Sequence, residues 1–252
     1  MSAFSAAYTG ELSKLIKRKK YIVFIIIGLV ICLLWALIGS ALSGLIGRHG
    51  GFFISLAPTP MGALPFFLQV LIPLLIFMSI TDLITTEGAE HTMKAILCRP
   101  VERWKLYSGK LLAVMTYVSI YLACVFIIST VLNQLLGRPL NLSEIFTAFI
   151  SYMLTLPTLA VLATFAALVA LVGRSATLTM LSLVALYLMM SILPIIFPIF
   201  GELLFTSYIG WYRLWIGARP AAPRLIHMLI IVIGYGTVFF IAGSLLFERK
   251  EY

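Results

Sequence analysis

Charge is scarce in this sequence. Only 11% of its 252 residues are Asp, Glu, Lys or Arg, whereas 62% are hydrophobic. A soluble domain is nearer a quarter charged, so this composition excludes a water-soluble globule and makes lipid the solvent. Cysteine is sparse as well. Cys32, Cys98 and Cys124 stand too far apart for a disulfide framework or a metal-ligand spacing, and they read as small apolar residues. His49 and His227 have no second ligand at metal spacing. No G-x-x-x-x-G-K-[ST] loop is present. The only Gly-Lys pair, Gly109-Lys110, is followed by Leu111, so this chain does not hold ATP by that device. No apolar run carries a charge near its middle, and Asp82 lies at the end of one. A proton- or ion-coupled carrier needs such a group, and it would stand out. The acids near a membrane face, Asp82, Glu144 and Glu202, form no nucleophile–base arrangement, which argues against an intramembrane enzyme.

What is present is length in the apolar runs. About 20 apolar residues cross a bilayer as a helix, and six stretches qualify: 21–44, 63–84, 106–132, 145–172, 176–200 and 225–247. The expected fold is therefore all-α and integral to the membrane, a single domain over 1–252. The first run is too long for the core of an ordinary leader peptide and shows no small-residue cleavage site, so it is expected to stay. Ahead of it, Phe4, Tyr8, Leu12, Leu15 and Ile16 fall near helical spacing, with Glu11, Lys14, Lys17 and Arg18 off that stripe. This predicts an amphipathic helix over 2–20 on the membrane surface, basic side toward anionic headgroups. A disordered basic tail is the alternative.

The net charge is +9. Basic residues collect in cytoplasmic loops, so the excess implies topology and no nucleic-acid partner. With both termini cytoplasmic, Arg48, Arg138, Arg213, Arg219 and Arg224 are the only outside members of the 18 Lys and Arg.

The most informative segment runs from Asp82 to Lys110, DLITTEGAEHTMKAILCRPVERWKLYSGK. Over 86–98 it has helical composition, with Thr86 as N-cap and Glu87 and Glu90 in the first turn, where the helix dipole favours acids. Met93, Ile96 and Leu97 give it an apolar face, and Pro100 stops it. A short amphipathic helix across the ends of two spans would suit a soluble partner. An ordinary charged loop would need neither helix nor partner.

Glu87, Thr92, Leu97, Pro100-Val101, Arg103 and Gly109-Lys110 resemble the cytoplasmic signature of type 2 ABC transporter permeases. His91 departs from that pattern, which usually has Gly before the Thr. The layout resembles the family along essentially the whole chain: a surface helix, six spans and an aromatic extracellular segment before the last. The resemblance implies a permease subunit without its own ATPase motif, and hence no enzyme by itself. It implies two permease chains, identical or homologous, each seated on a separate ABC ATPase subunit that holds the ATP and Mg. The 86–98 helix would couple the two through Glu87, Glu90, Thr92, Lys94, Leu97, Arg99, Pro100 and Arg103. The implied complex is an exporter in a bacterial or archaeal plasma membrane, moving an amphipathic peptide, antibiotic or lipid-like compound. An ATP-independent carrier and a non-transporting scaffold are the competing readings.

Three further features carry two readings each. Ala160, Ala163, Ala167 and Ala170, like Gly39, Ser40, Ser43 and Gly44, permit close helix packing, within the chain or against a second subunit. Pro65, Pro73, Pro157, Pro194 and Pro198 kink helices and free carbonyls, for shape or for gating. Phe205 and the group Tyr208, Trp211, Tyr212 and Trp215 favour a headgroup interface, as anchors among membrane lipids or as contacts for substrate. In the family this stretch, 201–223, forms a re-entrant helical hairpin.

Overall fold

In hydrocarbon a backbone amide has no water to bond, so a crossing segment must satisfy itself as a helix. The computed structural model describes residues 3–45, 59–87, 102–136, 140–215 and 222–249, and every regular element among them is helical. Helix α1 spans Ala3–Lys17 and α2 spans Lys19–Leu45. Next come α3 (Pro60–Phe66) and α4 (Ile72–Ile80). A wider π-turn over Phe67–Leu71 joins them, and another over Thr81–Thr86 follows. The chain continues with α5 (Arg103–Leu135), α6 (Leu142–Val172) and α7 (Ala176–Ile196). A short α8 (Phe200–Leu203), a 3₁₀ stretch over Phe205–Trp215 and α9 (Ala222–Arg249) complete it. Six of these are long and apolar enough to cross a membrane, the second being the continuous run Pro60–Thr86. The protein is a multi-pass, all-helical membrane protein.

Helix ends follow local chemistry. Thr59 Oγ1 accepts from the Gly62 amide at 3.1 Å, with Pro60 at the first helical position, an N-terminus built to rule. Glu144 reaches back to the Asn141 amide at 3.2 Å at the start of α6, half of a capping box. The fifth span stops at Ile196, short of the expected Phe200. Phe197 precedes Pro198, and the proline ring pushes it to extended dihedrals, φ −124 and ψ 96.

The second and fourth spans form the interior. Of the alanine stripe on α6, Ala163, Ala167 and Ala170 are fully buried and Ala160 is half-buried, and the Thr85 hydroxyl donates to the Ala170 carbonyl at 3.0 Å. That stripe therefore serves packing within the chain; the side chains of Gly39, Ser40, Ser43 and Gly44 lie outside the described ones. Tyr107 of α5 lies against Gly243 of α9, and Tyr121 against Gly28 of α2, in each case where a Cβ would collide with the hydroxyl. Helices α7 and α9 leave most of their apolar surface outward, as lipid-facing helices do.

The 33 residues of α5 rise about 50 Å, more than the roughly 30 Å of hydrocarbon. Helix α1 packs along its first half, with Tyr8 Oη 2.9 Å from Thr116 Oγ1. At that end Arg103 Nη1 donates to the Glu248 carbonyl at 2.6 Å. The two terminal helices and the ends of the second and third spans thus meet at one end of the bundle.

Candidate functional site

Where α1, the second span and α5 converge, four charged side chains close into a ring. Lys110 Nζ lies 2.6 Å from Glu87 Oε2 and 3.1 Å from Glu11 Oε1. Lys14 Nζ lies 2.8 Å from Glu87 Oε1 and 3.1 Å from the same Glu11 oxygen. Lys110 is 0% exposed, Glu11 3% and Glu87 5%, while Lys14 reaches solvent. Charges alternate around the ring and sum to zero. That is how buried charge is tolerated, because each ion's desolvation is offset by opposite neighbours and hydrogen bonds.

The four members are delivered by three stretches of sequence. Lys110 follows the helical start of α5 at the Gly109-Lys110 pair. Glu11 and Lys14 lie one turn apart on α1. Glu87 follows the π-turn Thr81–Thr86. A π-turn displaces the following residues around the helix axis, and such turns concentrate at functional sites. Burial works to raise the Glu87 pKa, but the Lys110 charge and the hydrogen bonds from Lys110 and Lys14 outweigh it and hold the carboxyl below its usual range. For Lys14 burial works to lower the pKa, yet its bonds to Glu87 and Glu11 and the two negative charges carry it above the ordinary lysine value.

A second ionic knot adjoins the first. Tyr21 Oη donates to Asp82 Oδ2 at 2.6 Å; Arg18 Nη1 approaches the same oxygen at 3.1 Å, and Lys20 pairs with it too. Tyr117 of α5 donates to the Tyr21 carbonyl at 3.0 Å. Together the knots fix the junction of α1 and α2 to the end of the second span and to α5.

The structure revises several sequence expectations here. Thr86 is no N-cap: its hydroxyl bonds back to the Thr81 carbonyl at 3.4 Å, and the helical run continues through Glu87. Glu11, expected off the apolar stripe of α1, faces inward. Burial of Lys110 demands counter-charge, and Glu11 lies one turn beyond Tyr8 on the side that faces α5. Of the coupling residues named from sequence, Glu90, Thr92, Lys94, Leu97, Arg99 and Pro100 lie outside the described residues. Glu87 is buried in the ring, and Arg103 is exposed and holds the end of α9.

At the opposite end, Tyr208, Trp211 and Tyr212 are buried against the bundle; the side chain of Trp215 lies outside the described ones. Trp211, together with Thr206 and Tyr187, serves backbone carbonyls near the prolines. Proline removes the amide that would bond four residues back. Pro194 frees the Met190 carbonyl, which accepts from Thr206 Oγ1 at 3.2 Å. Pro157 loosens the turn containing Leu154, whose carbonyl accepts from Trp211 Nε1. Pro73 frees the Gln69 carbonyl, which accepts from Tyr187 Oη at 3.0 Å. Tyr208 donates to the Glu202 carbonyl.

A family model described as ABC-2 family transporter protein matches residues 9–191. The matched stretch holds all four members of the ring. No curated protein matches the chain.

Proposed function

The chain belongs to the ABC-2 family of transporter proteins, and from that premise we propose that it is the membrane subunit of an ATP-driven exporter whose ATPase is a separate polypeptide. Its cargo is an amphipathic compound: a peptide, an antibiotic or a lipid-like molecule. It works in a bacterial or archaeal plasma membrane with both termini cytoplasmic, paired with a second permease chain.

The observation that carries this reading is the buried ring at Glu87. The ring stands at the last described residue before 88–101, the stretch that holds the family's coupling signature. A soluble ATPase that pulled on that stretch would pull on Glu87. Glu87 is bonded to Lys110 of α5 and Lys14 of α1, so three helices would move together. In this reading Glu87 is a positioning residue inside the permease. Glu90, Thr92, Lys94, Leu97, Arg99 and Pro100 are left as the surface offered to the ATPase.

The test uses the native Cys98. In a Cys32→Ala, Cys124→Ala chain co-expressed with its ATPase, a short thiol cross-linker at Cys98 should capture the ATPase, and ATP should change the yield. Glu87→Gln should leave the cross-link in place while substrate-stimulated ATP hydrolysis falls. If Cys98 is cross-linked to nothing, the coupling role of this segment is wrong.

A further inference from the structure

A cavity of about 700 Å³ opens between the second span, α7 and the 3₁₀ stretch, at the end of the bundle away from the termini. One wall reaches Gln69, nine residues past Pro60, and the other reaches Tyr187, nine residues before Ile196. At 1.5 Å per residue each is about 14 Å along its helix, near the middle of a roughly 30 Å hydrocarbon layer. The cavity is thus long in the direction of the bilayer normal. Leu188, Ile192 and Ile195 line it and are also exposed at the surface of α7, so a hydrocarbon chain can enter sideways from lipid.

Its polar groups sit at two depths. Arg213 is the one charged residue of the lining among the described residues. Its Nε reaches Tyr212 Oη only at 3.5 Å, and its guanidinium lies 6.0 Å from the Tyr212 ring. Its two terminal nitrogens have no partner among the described residues. Deeper in, Gln69 lines the cavity; its side-chain amide makes no hydrogen bond among the described residues, while its backbone carbonyl is held by Tyr187. A free amide at this depth is costly. The walls are fixed, because Thr206 and Tyr187 bond the carbonyls that Pro194 and Pro73 release.

We infer that this cavity is a binding site for an anionic phospholipid of the leaflet opposite the termini. The phosphate pairs with the planar fork of Arg213, the geometry in which Arg recognises phosphate. One acyl chain fills the space beside Leu188, Ile192 and Ile195. The site does not depend on an ATPase, so it stands or falls separately from the exporter reading.

The test is native mass spectrometry of the full chain released from nanodiscs of equal phosphatidylglycerol and phosphatidylcholine. A bidentate charged contact predicts that one retained phosphatidylglycerol outnumbers retained phosphatidylcholine about tenfold. Arg213→Gln should abolish the preference, and Arg213→Lys should keep part of it. Equal retention by the unaltered chain overturns the proposal, as does a preference that survives Arg213→Gln. A second measurement needs no change at Arg213. In a chain whose only tryptophan is Trp211, acyl-brominated phosphatidylglycerol should quench fluorescence at a mole fraction about tenfold below brominated phosphatidylcholine. Matching quenching curves would sink the assignment. Retention of added dodecyl phosphate in place of the lipid would make the ligand a soluble amphipath and the phospholipid assignment wrong.

Discussion

Lys110→Met removes one member of the buried ring and leaves the rest in place. Glu87 loses its 2.6 Å partner and Glu11 one of its two, and Lys14 alone must balance both carboxylates. Removing one partner of a buried ion pair costs about 3–5 kcal/mol, because the remaining charge stays uncompensated. For a chain of this length roughly 2–4 °C accompany each kcal/mol, so the apparent midpoint should fall by about 10 °C. Scanning fluorimetry in mild detergent at a fixed heating rate measures it, the fixed rate being needed because such unfolding is irreversible. The double variant Lys110→Met, Glu87→Gln leaves a neutral Glu11–Lys14 pair and should recover most of the loss, a coupling well beyond the ~0.5 kcal/mol within which independent sites add. The deficit of the single variant should also shrink as pH falls, because protonation removes the uncompensated buried charge. A fall under about 2 °C, or strictly additive single and double variants, would refute the reasoning.

Four other outcomes follow from the geometry. Gly243→Ala should destabilise by about 1–3 kcal/mol through overpacking and be rescued by Tyr107→Phe, since the colliding atom is the tyrosine hydroxyl; thermal midpoints of the three chains decide it. Gly28→Ala with Tyr121→Phe should behave alike. Thr206→Val should cost about 1 kcal/mol by orphaning the Met190 carbonyl, and much less in a Pro194→Ala background, where the helix can bond that carbonyl itself. Docking of α1 should depend on pH at both extremes. The Glu87 pKa is depressed in the fold, so its contribution is present above the unfolded carboxylate value and lost as pH falls through the folded one. The Lys14 pKa is raised, so its contribution is present below the unfolded lysine value and lost as pH rises through the folded one. Proteolysis between α1 and α2 as a function of pH reads this directly.

The spans were legible because a transmembrane helix is written in one variable, apolar length, and 20 or more residues average away local ambiguity. The break between the spans 145–172 and 176–200 and the prolines were legible for local reasons. Glu87 and Lys110 were visible as parts of one segment. Their partner Glu11 was hidden, because hydropathy assigns an acid to the wet side of an amphipathic helix and cannot see a buried lysine 99 positions away. Thr86 looked like a cap because Thr before an acidic turn has that chemistry; the π-turn that carries the helix past it is a product of packing. The aromatic stretch was read by its amphipathic side chains as an interface. Its buried tips follow a pairing between donors at 206 and 211 and carbonyls near Pro194 and Pro157, which only the folded chain brings together.

The most direct measurement is purification of the tagged chain from its native membrane in mild detergent, with every stoichiometric companion identified. The account predicts a soluble subunit bearing the phosphate-loop sequence G-x-x-x-x-G-K-[ST], retained by the unaltered chain and by Glu87→Gln. A chain that purifies reproducibly without such a subunit would contradict it and turn the interpretation toward a carrier or a scaffold.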